Sequence, residues 1–363
     1  MIESLFTDIE HLAAQGRPPH SDAEAAAIQW VEARLTALGI ETQQQPFMST
    51  GLLLERWGPI SFLAGLATLL AMGKSERRRG LATMLVTAAL LGSKQVHDGQ
   101  SAFWEAYWPQ RSATNVVGVI PAQVRPHHRV VLVAHVDSDR ARLSAHPRVR
   151  QWLTGHQNIA LMSVAGPPRL RKLVFAAITG QLALLIADEA APSIDGAIDN
   201  ASGVALLLHL AEHLAANPLP YTEVALAFTS CDTLNGRGSA ELVAHYGDAW
   251  QDAHWLVVDS IGAGELCWIT PNIETATAPL LEQVARDNRA LGVMGRTLSI
   301  ADPAIPLRAG HVNAVALMGY ERSDHFPVHW QRTTDTIDQI DPTSLERAWH
   351  FLWATLQSIE ATT

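Results

Sequence analysis

Residues 127–138 read HHRVVLVAHVDS, and the unbroken apolar run VVLVA at its centre narrows the folds open to this chain. β-Branched residues in series favour an extended backbone, and a strand without polar alternation has to be covered on both faces. A sheet with helices on either side provides that cover. The flanking sequence supplies the rest: TNVVGVIPA (114–122), YTEVALAFTS, HWLVVDSIG, LCWIT and VNAVALMG read as strands. ASGVALLLHLAEHLAAN, GSAELVAHY, APLLEQVARDNRAL and PTSLERAWHFLWATLQ carry apolar residues at helical spacing between them. Residues 1–40 read as two amphipathic helices joined by GRPPHSD, followed by a short strand ETQQQPF. The expectation is an α/β protein with a mixed, largely parallel central sheet covered by helices, and ligands beyond the carboxyl ends of its strands.

Two segments break the alternation. Residues 57–93 hold GPISFLAGLATLLAMG and GLATMLVTAALLGS around the basic KSERRR. Residues 141–188 hold WLTGHQNIALMSVAG and LVFAAITGQLALLIA around PPRLRK. Each reads as an inserted apolar helical hairpin projecting from one side of the α/β domain (1–56, 94–140 and 189–363). Arg77, Arg78 and Arg79 stand at one tip, and Arg169, Arg171 and Lys172 at the other. The apolar runs are short against the ~20 residues a spanning helix needs, so a soluble helical cap and a pair of membrane hairpins both remain open. Basic tips on the cytoplasmic side would place the main domain outside the cytoplasm. The acidic start MIESLFTDIEHLAAQG, without the features of a secretory signal, points the other way.

Charge disfavours one class of partner. With 26 Lys and Arg against 36 Asp and Glu, the net charge of −10 argues against nucleic acid as the main ligand. The two cysteines, Cys231 and Cys267, lack metal-ligand spacing and read as small buried hydrophobes.

Four polar clusters sit where a strand ends or a helix begins. His135 follows the buried strand, with Asp137 two residues on, placed to orient its ring. Asp199 lies in GAIDNASG before a helix, where a capping role is the bland alternative. Asp232 lies in FTSCDTLNGRGS, and Asp259 in VVDSIG.

In that order the clusters resemble the zinc aminopeptidases of metallopeptidase family 28, whose relatives include glutaminyl cyclases and glutamate carboxypeptidase. The resemblance covers residues 1–50 and 114–360, and GAIDNASGVALLLHLAEHL is its most specific segment. It implies a pair of zinc ions ~3.5 Å apart that polarise a substrate carbonyl and generate hydroxide. Asp199 matches the bridging carboxylate, and His135 and Asp259 match the other ligands of one zinc. Where the family has a Glu pair, general base then ligand, this chain has Asp232 and Thr233; where it has the last His, HWQRTTDTIDQID has Gln331. A hydroxyl and an amide are poor zinc ligands, so the resemblance implies at most one tightly bound zinc, or none. His325 and His329 are candidate substitute ligands.

Three readings follow. The first is an accessory or structural subunit, membrane-associated through 57–93 and 141–188, with peptidase turnover lost or strongly reduced and a protein partner in a membrane complex. The second is an active single-zinc aminopeptidase or amidase on peptide or amide bonds. The third is a binding module using the old cleft.

Overall fold

A computed structural model describes residues 2–146, 148–149, 168–269, 277–296, 302–322 and 326–362. Eight strands form one sheet in the order β1-β2-β4-β3-β5-β8-β6-β7. They are β1 (Glu41–Ser49), β2 (Arg111–Ile120), β3 (His128–His135), β4 (Thr222–Thr229), β5 (His254–Asp259), β6 (Glu265–Ile269), β7 (Met294–Arg296) and β8 (Ala314–Tyr320). The four central strands, β4, β3, β5 and β8, run parallel to one another. β1, β2 and β6 attach antiparallel at the flanks, which makes the sheet mixed and largely parallel at its centre.

Alternate side chains of the central strands feed two cores. Val130, Leu132 and Ala134 of β3 pack with α1 (Ile2–Ala13), α2 (Asp22–Ala37), α6 (Ser202–Ala216) and α10 (Pro342–Glu360). Val131 and Val133 point to the other face, under α7 (Arg237–Tyr246) and α9 (Ile305–Ala309), with Leu242 and Leu307 above them. A helix on each face is what the uninterrupted apolar run requires. α8 (Thr277–Asp287) closes the first face near β6 and β7 through Leu281 and Val284. β7 and α9 are three and five residues long, too short to leave a periodic signal in the sequence.

The apolar segments form α3 (Leu53–Ala71), α4 (Glu76–His97) and α5 (Pro168–Glu189). α3 packs against both α4 and α5. The foot of α3 is fixed to the α/β domain: Arg56 donates to the carbonyls of Leu234 (2.6 Å) and Gln100 (2.8 Å), and Trp57 Nε1 to Asn235 Oδ1 (2.7 Å). Trp104 lies against α4 at Gly92, where a Cβ would come within 1.8 Å of the indole. At the basic end, Arg171 hydrogen-bonds the carbonyl of Ala71. Of the second expected hairpin, WLTGHQNIALMSVAG and the side chain of Arg169 lie outside the described residues. The feet of these helices stand beside the loops at the carboxyl ends of the sheet, where Arg56 and Trp57 of α3 and the end of α5 are tied. Among the described residues one helical stretch, Leu170–Glu189, is long and apolar enough to cross a membrane by length and composition.

Candidate metal centre

Parallel strands deliver the site. His135 ends β3 and Asp259 ends β5, and the β3/β5 pairing Val133↔Val257 runs straight toward them. The loop after β4, next to β3 on its other side, carries Asp232 and Thr233. Asp199 enters from the turn before α6.

His135, Asp199 and Asp259 are buried, and one potential ligand atom from each lies within 4.8 Å of the others. His135 Nε2 is 3.0 Å from Asp199 Oδ1 and 3.7 Å from Asp259 Oδ1. Its Nδ1 is 3.0 Å from the Asp137 carbonyl and 3.4 Å from the Asp137 carboxylate, an arrangement that fixes the ring with Nε2 toward the acids. Burial disfavours a charged imidazole, but the hydrogen bonds of three carboxylates outweigh it and hold the His135 pKa well above its usual value. Burial, aided by the charges of Asp259 and Asp139, pushes Asp199 up to about 6 against the pull of His135.

Several residues outside the sequence-derived set hold the cluster. Asn200 accepts from the N–H groups of Gly203 and Ser260, each at 3.1 Å, and donates to the carbonyl of Val258 at 2.9 Å, which staples the Asp199 turn to the end of β5. Asp335, the acid of the terminal Asp-Thr pair, accepts from the N–H groups of Ile198 (2.6 Å) and Asp199 (3.2 Å); burial and the charge of Asp199 raise it to about 8. Arg17 is fully buried and donates to the carbonyls of Val136 (2.8 Å), Asp195 (2.9 Å) and Gly196 (3.1 Å). Glu24 accepts from the N–H groups of His20 (2.6 Å) and Cys231 (2.7 Å), and burial raises it to about 8. Asp335, Arg17, Glu24 and Asn200 carried no local signal, since each has partner backbone groups distant in the chain.

The remaining candidates are engaged elsewhere. Asp232 was expected at the general-base position, but its carboxylate turns back to the start of α7. There it accepts from Ser239 N (2.7 Å), Ser239 Oγ (2.6 Å) and Thr229 Oγ1 (2.6 Å). Burial and the charge of Asp137 raise its pKa. Thr233 donates to Asp137 Oδ2 from its N–H (2.8 Å) and its hydroxyl (2.7 Å). Gln331 donates from Nε2 to Asp139 Oδ2 at 2.5 Å, and Asp139 in turn pairs with Arg142 at 2.7 Å. His329 is not a member of the cluster: its Nδ1 is held by Thr334 Oγ1 at 2.7 Å, and it does not line the cleft. His325 lies outside the described residues. Cys231 and Cys267 are buried and free.

The cluster borders a cavity of about 970 Å³. His135, Asp199, Asp259, Asp232, Thr233 and Gln331 line one side, and residues of α3, α4 and α5 line the other.

The donor set fits one zinc ion, since an imidazole and two carboxylates are ordinary zinc ligands and the buried acids need a cation. Among the described residues, the two positions where the family has the ligands of a second ion, Thr233 and Gln331, direct hydrogens at Asp137 and Asp139.

Comparison with known proteins gives the same lineage. The pattern defining Peptidase family M28 matches residues 115–356. Among solved structures, the Tannerella forsythia glutaminyl cyclase superposes with a TM-score of 0.59 at 16% identity, covering 98% of this chain and 97% of that one. A Zn-dependent exopeptidase from Parabacteroides distasonis gives 0.60 at 15%, covering 99% and 97%. A zinc aminopeptidase from Bacillus subtilis gives 0.62 at 12%, covering 99% and 95%. No curated protein is matched.

Proposed function

Because the chain belongs to Peptidase family M28, we propose that it is a membrane-associated, single-zinc member in which two-metal peptide hydrolysis is lost or strongly reduced and the cleft binds a ligand, as part of a membrane assembly. One observation carries this reading: both positions that would complete a second metal site spend their donors on Asp137 and Asp139. His135, Asp199 and Asp259 would hold the single ion, which supplies a Lewis acid for a carbonyl oxygen.

The chain's own groups then do the following. Asp137 fixes the His135 ring, and by accepting from Asp232 N and Thr233 N it holds the loop where a base would stand. Asn200 and Asp335 fix Asp199. Asp232, with three hydrogen bonds into the start of α7, is a brace for that helix before it is a proton acceptor. The membrane association is supported by the long apolar stretch Leu170–Glu189 and by the exposed Phe62, Leu69, Met84, Leu91, Leu173 and Ile186 on the three helices.

A second reading, an active single-zinc amidase, is favoured by the open cavity that reaches all three ligands. Zinc counted per purified chain, together with turnover of an aminoacyl p-nitroanilide before and after chelation, decides between them. One zinc with no zinc-dependent turnover supports the first reading. One zinc with turnover abolished by chelation supports the second, and two tightly held zinc ions overturn both.

A further inference from the structure

The cavity borders the buried His135, Asp199 and Asp259, and its helix side is mostly apolar: Trp57 and Ala64 of α3, Ala89 of α4, and Ala177, Ile178 and Leu185 of α5, with Ser61, Lys94, His97 and Gln181 between them. Alanines at three of these positions leave room where longer side chains would meet. The same α5 contains the membrane-length apolar stretch, of which only a small share is buried, so one helix faces both the cavity and the outside.

A ligand filling such a space has to be apolar along most of its length and polar at one end. A peptide would set N–H and C=O groups against Ala64, Ala177 and Ile178, each group left unpaired there at a desolvation cost. An acyl chain has neither problem. We propose that the cleft takes a single-chain amphiphilic amide, its acyl chain lying between α3, α4 and α5 and its amide carbonyl at the His135–Asp199–Asp259 end.

The chain Gln331–Asp139–Arg142 supports this placement. Arg142 reaches Glu189 at the end of α5 (3.6 Å), and Asp188 accepts from the N–H of Leu143 at 2.7 Å. The helix that supplies the apolar wall is thereby pinned to the loop that borders the polar end, so the two walls keep a fixed spacing.

The inference rests on the membrane part of the proposed function and is independent of zinc and of turnover. Its test uses the full chain in lipid nanodiscs, with tritiated N-lauroylglycinamide and N-acetylglycinamide as probes and empty nanodiscs as the reference. The expected result is saturable retention of about one lauroyl probe per chain above the reference, at least about tenfold tighter than the acetyl probe. Ala177→Trp, which fills the cavity, should weaken retention at least about tenfold; Ile186→Trp, exposed and about 180° around α5 from Ala177, should leave it unchanged.

The acyl-length series on the unaltered protein keeps the test decisive if Ala177→Trp does not fold. Retention equal to that of empty nanodiscs, or equal for the two probes, overturns the proposal. So does displacement of the lauroyl probe by an apolar tetrapeptide amide at lower concentration than by unlabelled lauroylglycinamide. Chain incorporated per nanodisc and zinc content, measured on the same samples, separate the ideas: no incorporation removes the membrane reading, incorporation without retention removes the amphiphile alone, and intact retention without zinc removes the single-zinc reading alone.

Discussion

Thr233 gives both its backbone N–H and its hydroxyl to one oxygen of Asp137, at 2.8 and 2.7 Å. The residue that would complete a second metal site has become part of the support for the first, because the other side of Asp137 faces the His135 ring.

Thr233→Glu with Gln331→His is therefore expected to raise zinc from one toward two ions per chain, measured by elemental analysis after dialysis against trace zinc. Thr233→Val alone removes a hydrogen bond to a buried carboxylate and should cost about 1.5–3 kcal/mol in denaturant unfolding. A double variant that still holds a single zinc would show that the loop cannot present a new ligand.

Glu24 sets a pH dependence. Its folded-state pKa is raised from 4.5 to about 8 by burial, then by the charge of Asp137. A carboxyl raised on folding favours the folded state while protonated. Its contribution is full below about pH 4.5 and is lost as pH rises through about 8. Melting temperature should fall from this group between pH 5 and 9, by an amount worth on the order of a few kcal/mol. In Glu24→Gln the fall over that window should be smaller; an unchanged slope would assign it to other groups.

Gly92 leaves the space that the Trp104 indole occupies, since a Cβ there would lie 1.8 Å from the ring. Gly92→Leu should force Trp104 out and destabilise the foot of the α3–α4 pair by about 1–3 kcal/mol, with faster protease cleavage between residues 98 and 104. Gly92→Leu with Trp104→Ala should recover part of the loss.

Leu173 and Ile186 are 66% and 53% exposed on the two ends of α5. If that face meets lipid, replacing both with Glu penalises the buried position by roughly 2–3 kcal/mol each and should move the protein from the detergent phase to the aqueous phase on partitioning. Wild-type protein found wholly in the aqueous phase would end the membrane reading.

How far the sequence leads depends on the range of each interaction. The central strands were legible because burial on both faces leaves an apolar run such as VVLVA, and His135 and Asp259 because each sits at the end of such a run; Asp199 was legible from the GAIDNASG segment before α6. The short β7 and α9 left no period to read. Asp232 was legible as a carboxylate in the right place, but the direction it points depends on Ser239 and Thr229, which close around it only when the loop meets α7. The placement of the apolar helices over the cleft was hidden for the same reason: Arg56 finds Leu234, and Trp57 finds Asn235, 178 residues away in the chain.

Arg17 carries a consequence for the order in which the protein is made. It leaves the ribosome well before its partner carbonyls at Asp195 and Gly196, which follow 178 and 179 residues later. Until they arrive, a guanidinium that ends fully enclosed has only nearby carbonyls and water to satisfy it. The segment around Arg17 must then wait, exposed, through synthesis of β1–β3 and α3–α5, and the turn bearing Asp199 is fixed only when that earlier segment docks onto it. Nascent chains halted before residue 196 should keep the first twenty residues open to protease, and those halted after α6 should protect them.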